Sequence, residues 1–312
     1  MKRLFLLMAV SLVALCSSIA TTKAQAPERQ NWYGYFPLYG NVESVTITEY
    51  KLQDKFGEVI RSDVEAKNKY CFNNVGDVIE DAEYSWDGSL RWKWIYKYDS
   101  SGRMIEGASY NSAGSLRWKY IPKYDSSGNV IEYAKYNSAG SLDRKCIYKY
   151  DSSGNKIEDA CYTSAGLLYE KYIYKYNSSG KMIEEAYYTS AGSLDWKYIY
   201  KYDSSGNKIE EACYNSDGSL GWKYIYKYDS SGNMIERVQY NYDGSLDEKY
   251  IYKYDSSGNK IEWAVYNSAG SLDYKCIYKY DSSRNRIEET EYKSDALIPN
   301  YQTEVKIVYR NE

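Results

Sequence analysis

Aromatic and aliphatic side chains alternate with charged ones over most of the chain, and short clusters of Asp, Asn, Ser and Gly interrupt this alternation at regular intervals. Segments such as 219–228 and 233–240 are rich in Tyr, Ile and Trp and lack the spacing of an amphipathic helix. Alternation over this length between turn residues is typical of β-strands. The pattern predicts an all-β protein.

Two turn sequences recur with one common period. The first, Tyr-Asp-Ser-Ser-Gly and its variants, starts at nine positions 26 residues apart: Phe72, Tyr98, Tyr124, Tyr150, Tyr176, Tyr202, Tyr228, Tyr254 and Tyr280. The second, Tyr-Asn-Ser-Ala-Gly and its relatives, starts at Tyr84, Tyr110, Tyr136, Tyr162, Tyr188, Tyr214, Tyr240 and Tyr266. In both turns Asp or Asn bonds its own backbone and Gly takes a positive φ, which is the chemistry of a hairpin.

These turns divide residues 70–291 into nine 26-residue double hairpins, which predicts an antiparallel up-and-down meander of about 18 strands. Residues 27–69 should form an arm followed by a degenerate hairpin, 42–50 with 58–64, that caps one edge. A strand at 301–309 within residues 292–312 should cap the other edge. Atypical terminal units are expected because a repeat array must protect its edges.

Pairing across the turns predicts two different sheet faces. If Asp229 and Asn233 flank the bend, Lys227 opposes Ile235, and opposed residues share a face. The same counting gives an aromatic face that carries Glu210, Ala212, Leu220, Trp222, Tyr224, Tyr226 and Tyr228. The second face would carry Ile209, Glu211, Lys223, Ile225 and Lys227, with Lys223 opposite Glu211. Neither face is purely apolar, so an outer-membrane barrel is not expected.

The spacing of the turns predicts a curved sheet. Successive turns lie alternately 12 and 14 residues apart, which displaces each unit by about two residues along the strands. A sheet that shears steadily and twists by about 20° per strand either coils or closes. We favour an open coil, which should tolerate deletion of a whole unit such as residues 203–228, whereas a closed barrel should not, because the loss of two strands changes its strand number and shear. The alternative is a wide closed barrel.

Residues 1–26 have the organisation of a signal peptide. Lys2 and Arg3 precede an apolar run over residues 4–15 and then a small, polar segment. The apolar run is too short to span a membrane, and no later segment approaches 20 apolar residues. We expect a bacterial protein that is secreted, periplasmic or on the cell surface. A lipoprotein is not expected, because Leu15 rather than a small residue precedes Cys16.

The amino-acid composition excludes the most common kinds of catalytic site. The chain contains 41 Tyr and no His, which excludes His-based triads, His metal ligands and imidazole bases. One Asp per turn supplies too few oxygens for a calcium site. Forty basic and 43 acidic residues give a net charge of −3, so nucleic acid is not an expected partner. We predict no catalytic residue, no metal and no cofactor.

Five cysteines follow the signal peptide: Cys71, Cys146, Cys161, Cys213 and Cys276. Cys146 and Cys276 occupy one position of the repeat, Cys161 and Cys213 occupy another, and the members of each pair are at least two units apart. Two units correspond to about 19 Å across a sheet, whereas a disulfide needs Cα atoms within about 7 Å. Free thiols are therefore expected.

Residues 249–262 read Lys-Tyr-Ile-Tyr-Lys-Tyr-Asp-Ser-Ser-Gly-Asn-Lys-Ile-Glu, and near copies recur over residues 70–291. This string resembles the YD repeat of Rhs-type proteins at Tyr252, Tyr254, Asp255, Gly258, Asn259 and Ile261. The resemblance implies a coiled β-sheet shell. The chain has neither the Rhs core-end motif nor a toxin region, and it has too few repeats for a closed cocoon. Glucan-binding and MORN-type repeats are less similar, because they lack the Tyr-x-Tyr-Asp run.

The aromatic face is the candidate for function. One repeat position holds Trp in four units but Arg144, Glu170, Glu248 or Tyr274 in others, while the Leu two positions earlier and the Lys that follows it do not vary. Rows of Trp and Tyr stack on sugars or bind proteins, and cross-strand packing inside the coil is the structural alternative. The candidate binding surface consists of Trp92, Trp118, Trp196, Trp222, Tyr120, Tyr198 and Tyr224.

Together these features predict a secreted, non-enzymatic β-repeat protein that acts as an extracellular or cell-surface binding or structural module. One alternative is carbohydrate or cell-envelope binding through the Trp and Tyr face. Another is an Rhs-like shell or carrier for a partner polypeptide. The expected partner is a glycan or another surface protein, and no oligomeric state is predicted.

Overall fold

The computed structural model describes residues 38–294 and 299–310. The predicted signal peptide and the first part of the predicted arm, residues 27–37, lie outside this range. The described chain is all-β, as predicted, and its twenty strands are β1 (Val42–Lys55), β2 (Glu58–Phe72), β3 (Val78–Tyr84), β4 (Leu90–Tyr98), β5 (Met104–Asn111), β6 (Leu116–Tyr124), β7 (Val130–Asn137), β8 (Leu142–Tyr150), β9 (Lys156–Thr163), β10 (Leu168–Tyr176), β11 (Met182–Tyr188), β12 (Leu194–Tyr202), β13 (Lys208–Asn215), β14 (Leu220–Tyr228), β15 (Met234–Asn241), β16 (Leu246–Tyr254), β17 (Lys260–Asn267), β18 (Leu272–Tyr280), β19 (Arg286–Lys293) and β20 (Tyr301–Tyr309).

The sheet closes on itself. Each strand pairs antiparallel with its neighbours in the chain, and β1 also pairs with β20, where Val45 lies opposite Ile307. The favoured open coil is therefore wrong, and the alternative of a wide closed barrel is confirmed. The terminal segments, which were expected to cap separate edges, pair with each other instead. No unpaired sheet edge is left among the strands of residues 38–294 and 299–310.

Each repeated turn inserts one extra residue into its hairpin. In the turn after β14, the Gly232 N–H donates to the Asp229 carbonyl (3.1 Å), and Gly232 has a φ of 83°. The pairing register shifts by one residue beside this turn. The resulting β-bulge places Lys227 opposite Glu236, so the predicted opposition of Lys227 and Ile235 is wrong.

The bulges also change which residues share a face. Trp222 lies opposite Cys213 and Tyr224 lies opposite Glu211, so the aromatic face includes Glu211. The prediction that placed Glu210 on this face was wrong by one residue.

The second face carries the Lys side chains together with Glu210 and Ala212. Glu210 pairs with Ile225, and Ala212 pairs with Lys223. The predicted position of Ala212 among the aromatic residues is therefore wrong, and so is the predicted opposition of Lys223 and Glu211. This face is a repeated ion-pair network. Glu106, for example, binds Lys97 at 2.8 Å and Lys119 at 3.4 Å.

Two observations place the aromatic face on the inside of the barrel. Rings on strands two apart touch each other, with centroids 5.7 Å apart for Trp94 and Tyr120 and 5.4 Å apart for Tyr198 and Trp222. Such contacts form where side chains converge on a concave surface. Tyr226 is 8% exposed, whereas the neighbouring Lys side chains of the other face are about 60% exposed.

Equivalent residues of the units form rings around the barrel. Lys93 pairs with Ala82 on one side and with Tyr110 on the other, two residues beyond Ala108, the equivalent of Ala82. Each pair of strands is therefore displaced by two residues, as the turn spacing predicted. In a closed barrel this displacement tilts the strands by about 35° and gives a diameter of roughly 35–40 Å.

The interior of the barrel is a lumen rather than a packed core. Extensive contacts between strands of the described chain join hydrogen-bonded neighbours and do not cross the barrel. The cluster of buried apolar residues lies where the ends of the chain meet, and it comprises Leu38, Val42, Val45, Tyr70, Phe72 and Val305. Among the described residues, the packing typical of a hydrophobic core is therefore concentrated at this junction.

Pro122 in β6 shortens one ladder without breaking its strand. The β5–β6 ladder begins at Gly107–Tyr120 and has no pair involving Ile121, whereas the equivalent β13–β14 ladder begins one pair earlier. Because proline cannot donate a ladder hydrogen bond, the sequence predicts a local break or bulge in this strand. The structure shows the break without a bulge. We expect Pro122→Tyr, the residue found in other units, to raise the midpoint of thermal unfolding. A loss of more than about 1 kcal/mol would show that the irregularity is required.

The aromatic wall of the lumen

All seven residues of the candidate binding surface lie on the lumenal face. The four Trp side chains occupy one ring, near the Asn-Ser-Ala-Gly end of the strands, and Tyr120, Tyr198 and Tyr224 occupy the next ring. Trp196 and Trp222 belong to neighbouring units, as do Trp92 and Trp118. The structure thus brings the predicted residues onto one wall but not into one cluster.

The longest run of ring contacts among the described residues lies on β10–β14. Six of its rings form what we call the aromatic belt: Tyr172, Tyr187, Trp196, Tyr198, Trp222 and Tyr224. Trp196 lies 5.3 Å from Tyr187 and 4.5 Å from Tyr198, and Trp222 lies 4.9 Å from Tyr224. These contacts and the Tyr198–Trp222 contact make one strip that crosses five strands. Its rings are half-buried, so they retain surface toward the lumen.

Hydrogen-bonding groups border the belt. The Tyr224 hydroxyl donates to Gln239 (2.7 Å), the Tyr200 hydroxyl donates to Glu185 (3.1 Å), and the Tyr226 hydroxyl donates to Glu211 (2.8 Å). Burial raises the pKa of the Glu185 carboxyl, and the Tyr200 hydrogen bond opposes this shift. Flat rings with carboxylate and amide oxygens at their margins are suited to ligands that have both apolar and hydroxyl surfaces.

Four cations occupy a single repeat position at the start of odd-numbered strands: Lys156, Lys208, Lys260 and Arg286. Each lysine lies between two Tyr rings. For Lys208 the Nζ atom is 5.3 Å from the Tyr200 centroid and 5.0 Å from the Tyr226 centroid. The other units have Met or Val here. Sequence reasoning missed this position, although its alternation between cation and Met was visible.

The tyrosine that opens each Tyr-Asp-Ser-Ser-Gly turn has a structural role. The Tyr228 hydroxyl donates to the Lys208 carbonyl at 2.8 Å. Hydroxyls of seven equivalent residues make the same bond to the carbonyl 20 positions earlier, namely Tyr98, Tyr124, Tyr150, Tyr176, Tyr202, Tyr254 and Tyr280. These phenols hold successive units together. The first unit has Phe72 at this position, and its ring packs in the buried apolar cluster at the junction instead.

The predicted free thiols are wrong for two of the cysteines. Cys146 and Cys161 lie opposite each other on β8 and β9 and form a disulfide, with Cα atoms 3.9 Å apart. The thiols of Cys71, Cys213 and Cys276 are free. The prediction considered only pairs of cysteines at equivalent positions of the repeat. The β-bulge instead places cysteines from two different repeat positions opposite each other.

The Cys276 thiol belongs to a compact polar cluster. Its sulfur lies 3.2 Å from Glu289 Oε1 and 3.0 Å from the Tyr274 hydroxyl. A carboxylate oxygen of Glu291 lies within 4.8 Å of both the sulfur and the Glu289 carboxylate. Burial raises the pKa of the thiol, and Glu289 raises it further. Arg286 already binds Glu289 at 3.2 Å. The group therefore has the donor atoms for a cation, but its members satisfy one another.

Asp81 is a buried carboxyl without full hydrogen bonding. It is 5% exposed, and its Oδ1 atom has no hydrogen-bond partner among the described residues. Burial, with a smaller contribution from Glu83, raises its pKa to about 7. Because the folded pKa is raised, the contribution of Asp81 to stability is full below its unfolded pKa and is lost as the pH rises toward 7.

We therefore expect Asp81→Asn to raise the free energy of unfolding by about 1 kcal/mol or more at pH 8 and to change it little at pH 4. Urea unfolding at the two pH values measures the difference. An equal effect at both would show that ionisation of Asp81 does not limit stability.

The described part of the chain contains no helix that is long and apolar enough to cross a membrane. No family model matches the sequence, and no curated protein matches it. The resemblance to YD repeats therefore stays a prediction.

Among solved structures, the chain is similar to a porin-like protein from Bacteroides uniformis, with 10% identity and a TM-score of 0.35 over 86% of this chain and 98% of that one. It is also similar to TcdB2-TccC3-Cdc42, with 10% identity and a TM-score of 0.25 over 78% of this chain and 20% of that one. TcdB2-TccC3 without its hypervariable C-terminal region gives 11% identity and the same TM-score, over 84% and 19% of the two chains. With TM-scores this low, none of these likenesses supports a functional argument.

Proposed function

We propose that the protein is a non-enzymatic, exported binding barrel that holds a carbohydrate chain along the wall of its lumen. The observation that carries this proposal is the aromatic belt, whose rings lie on a concave surface beside Glu185, Glu211 and Gln239. Sugar rings present C–H surfaces that stack on aromatic faces, and their hydroxyls donate to oxygens at the margin.

The lumenal wall is less suited to binding a polypeptide. Extended peptides commonly bind by adding a strand to an exposed sheet edge. In the described barrel every strand is paired on both sides, so a peptide cannot bind by adding a strand. Binding would depend on side chains alone, which favours a ligand with many hydroxyls and flat apolar faces.

The carboxylates of the belt are poorly placed for catalysis. Glu211 accepts from Tyr226 and binds Lys208, while Glu185 accepts from Tyr200. A glycosidase needs one carboxyl that is free to protonate the leaving oxygen and a second that acts as base or nucleophile. Because both groups are already held by neighbours, we propose binding without turnover.

The outer surface of the barrel is covered by ion pairs, which supports a function inside the barrel. Its Glu side chains each bind one or two lysines, and the pattern continues from Glu106 through Glu132 and Glu158 to Glu236. A wall that faces lipid needs an apolar band instead. Variation between units is also concentrated on the lumenal face, at the Trp and cation positions and at the positions of Glu211 and Cys213.

The decisive experiment is a glycan array probed with the mature protein and with the double variant Trp196→Ala, Trp222→Ala. We expect at least a tenfold loss of binding, because the two residues are central to the belt. Trp86→Ala is the matched control, because Trp86 lies in a turn and is 77% exposed. An unchanged array profile for the double variant, or hydrolysis of a bound glycan by the wild type, would contradict the proposal.

A further inference from the structure

Lys260 differs from the other cations at its repeat position. Lys156 binds Asp159 at 3.4 Å, Lys208 binds Glu211, and Arg286 binds Glu289 at 3.2 Å. In each case the carboxylate comes from the residue three positions later on the same strand. The residue three positions after Lys260 is Trp263, and no carboxylate of the described chain forms an ion pair with Lys260.

The surroundings of Lys260 concentrate positive charge. Its Nζ atom lies 5.6 Å from the Tyr252 centroid and 5.4 Å from the Tyr278 centroid, and the Arg286 guanidinium lies 5.0 Å from the same Tyr278 ring. Burial lowers the pKa of Lys260, and Arg286 lowers it further. Glu289 opposes this shift in part, but its carboxylate already binds Arg286. An anion beside Lys260 would relieve this imbalance.

A stacking platform lies on the same strand as this cation: Trp263 pairs with Tyr252, whose ring Lys260 also approaches. The Trp263 ring is 5.2 Å from the Tyr274 centroid and 6.3 Å from the Tyr250 centroid, on the same lumenal face as Lys260. Trp263 thus stands where the other three strands have a carboxylate, and it presents an aromatic surface instead. Lys260 is therefore able to pair with a carboxylate from a ligand. A uronic acid carries both a ring face for Trp263 and a carboxylate for Lys260.

We propose that Lys260 and Trp263 form a subsite for a uronic acid residue of the glycan, so that the lumen selects acidic over neutral chains. This inference rests on the proposed carbohydrate-binding function and names its ligand class. The carboxylate of the sugar would occupy the position that Asp159, Glu211 and Glu289 hold beside the other three cations.

The test compares a hexamer of galacturonic acid with the same hexamer after reduction of its carboxyl groups to galactose, by isothermal titration calorimetry. We expect the wild type to bind the acidic hexamer at least tenfold more tightly. Lys260→Met should abolish this preference, and Met is native to the same position at Met182 and Met234. Lys208→Met, which removes a cation that has its own carboxylate, should preserve the preference.

Two variants of Trp263 separate charge from stacking. Trp263→Glu supplies the missing internal carboxylate and should abolish the preference, whereas Trp263→Gln should weaken both hexamers and keep it. Equal binding of the two hexamers by the wild type, or a preference that survives Lys260→Met, would overturn the subsite and leave carbohydrate binding standing. Failure of both hexamers, and of every glycan on the array, would overturn the two proposals together. Tighter binding of poly-glutamate than of the acidic hexamer would overturn the subsite in favour of an acidic polypeptide.

Discussion

Truncation after Lys293, which removes β20, should abolish the folded barrel. β20 is hydrogen-bonded to β19 and β1, so its loss opens the sheet and exposes two unpaired edges, which promote aggregation. The truncation also removes Val305, which is 4% exposed, from the junction cluster with Val45 and Tyr70. We expect loss of the cooperative thermal transition and an aggregated profile in size-exclusion chromatography. Truncation after Arg310 is the control and should leave both measurements unchanged.

Deletion of one whole unit, residues 203–228, should instead preserve the fold, although such a deletion was expected to be tolerated by an open coil and not by a closed barrel. Each unit contributes two strands and a displacement of two residues, so the ratio that fixes the strand tilt does not change. The barrel becomes narrower by about one tenth, and the turns on both sides of the junction stay alike. Deletion of 13 residues leaves an odd number of strands and cannot close an antiparallel barrel.

The truncation that lacks β20 tests the role of closure. If the truncated protein melted like the intact protein, closure of the barrel would not be the source of its stability.

The sequence was sufficient for the local structure. The turn positions and the extents of the repeated strands were predicted from the spacing of Asp, Asn and Gly. The terminal hairpin, predicted over residues 42–50 and 58–64, is longer and covers Val42–Lys55 and Glu58–Phe72. The sequence was not sufficient for side-chain orientation, because a single extra residue in each turn exchanges the faces. Glu210 and Glu211 are both acidic in that unit, so composition could not reveal the error. The bulge also moves Cys161, rather than Ala160, opposite Cys146.

Closure could not be predicted for a different reason. Displacement and twist per strand are the same in an open coil and in a closed barrel, so the repeat itself does not decide between them. The decision depends on whether β1 and β20, which lie outside the repeats, meet after eighteen intervening strands. Their alternating residues, such as Val45 and Ile307, predicted strands but not partners. The site was predicted as a list of aromatic positions, while Glu185 and Lys260 became evident only from their contacts.

Reduction of the Cys146–Cys161 disulfide should destabilise the protein by about 3 kcal/mol, the value expected for a cross-link that closes a loop of this length. The two cysteines are 15 residues apart in the sequence and lie directly opposite on β8 and β9. The bond constrains the unfolded chain and joins the two strands of one hairpin in the folded state. We expect urea unfolding to shift to lower denaturant in dithiothreitol and in Cys146→Ser, with the reductant having no further effect on the variant.

Cys213→Ser is the matched control, because Cys213 is a free thiol at the repeat position of Cys161 and Ser109 shows that serine is accepted there. It should lose little stability and should remain sensitive to reductant. A thiol count on the mature, unfolded protein adds an independent measurement: three reactive thiols are expected before reduction and five afterwards. Formation of the bond requires an oxidising compartment, so protein made with a signal peptide and exported should show three thiols, whereas protein made without it in a reducing cytoplasm should show five and unfold at the lower denaturant concentration. Five thiols in the exported protein would contradict both the disulfide and its contribution to stability.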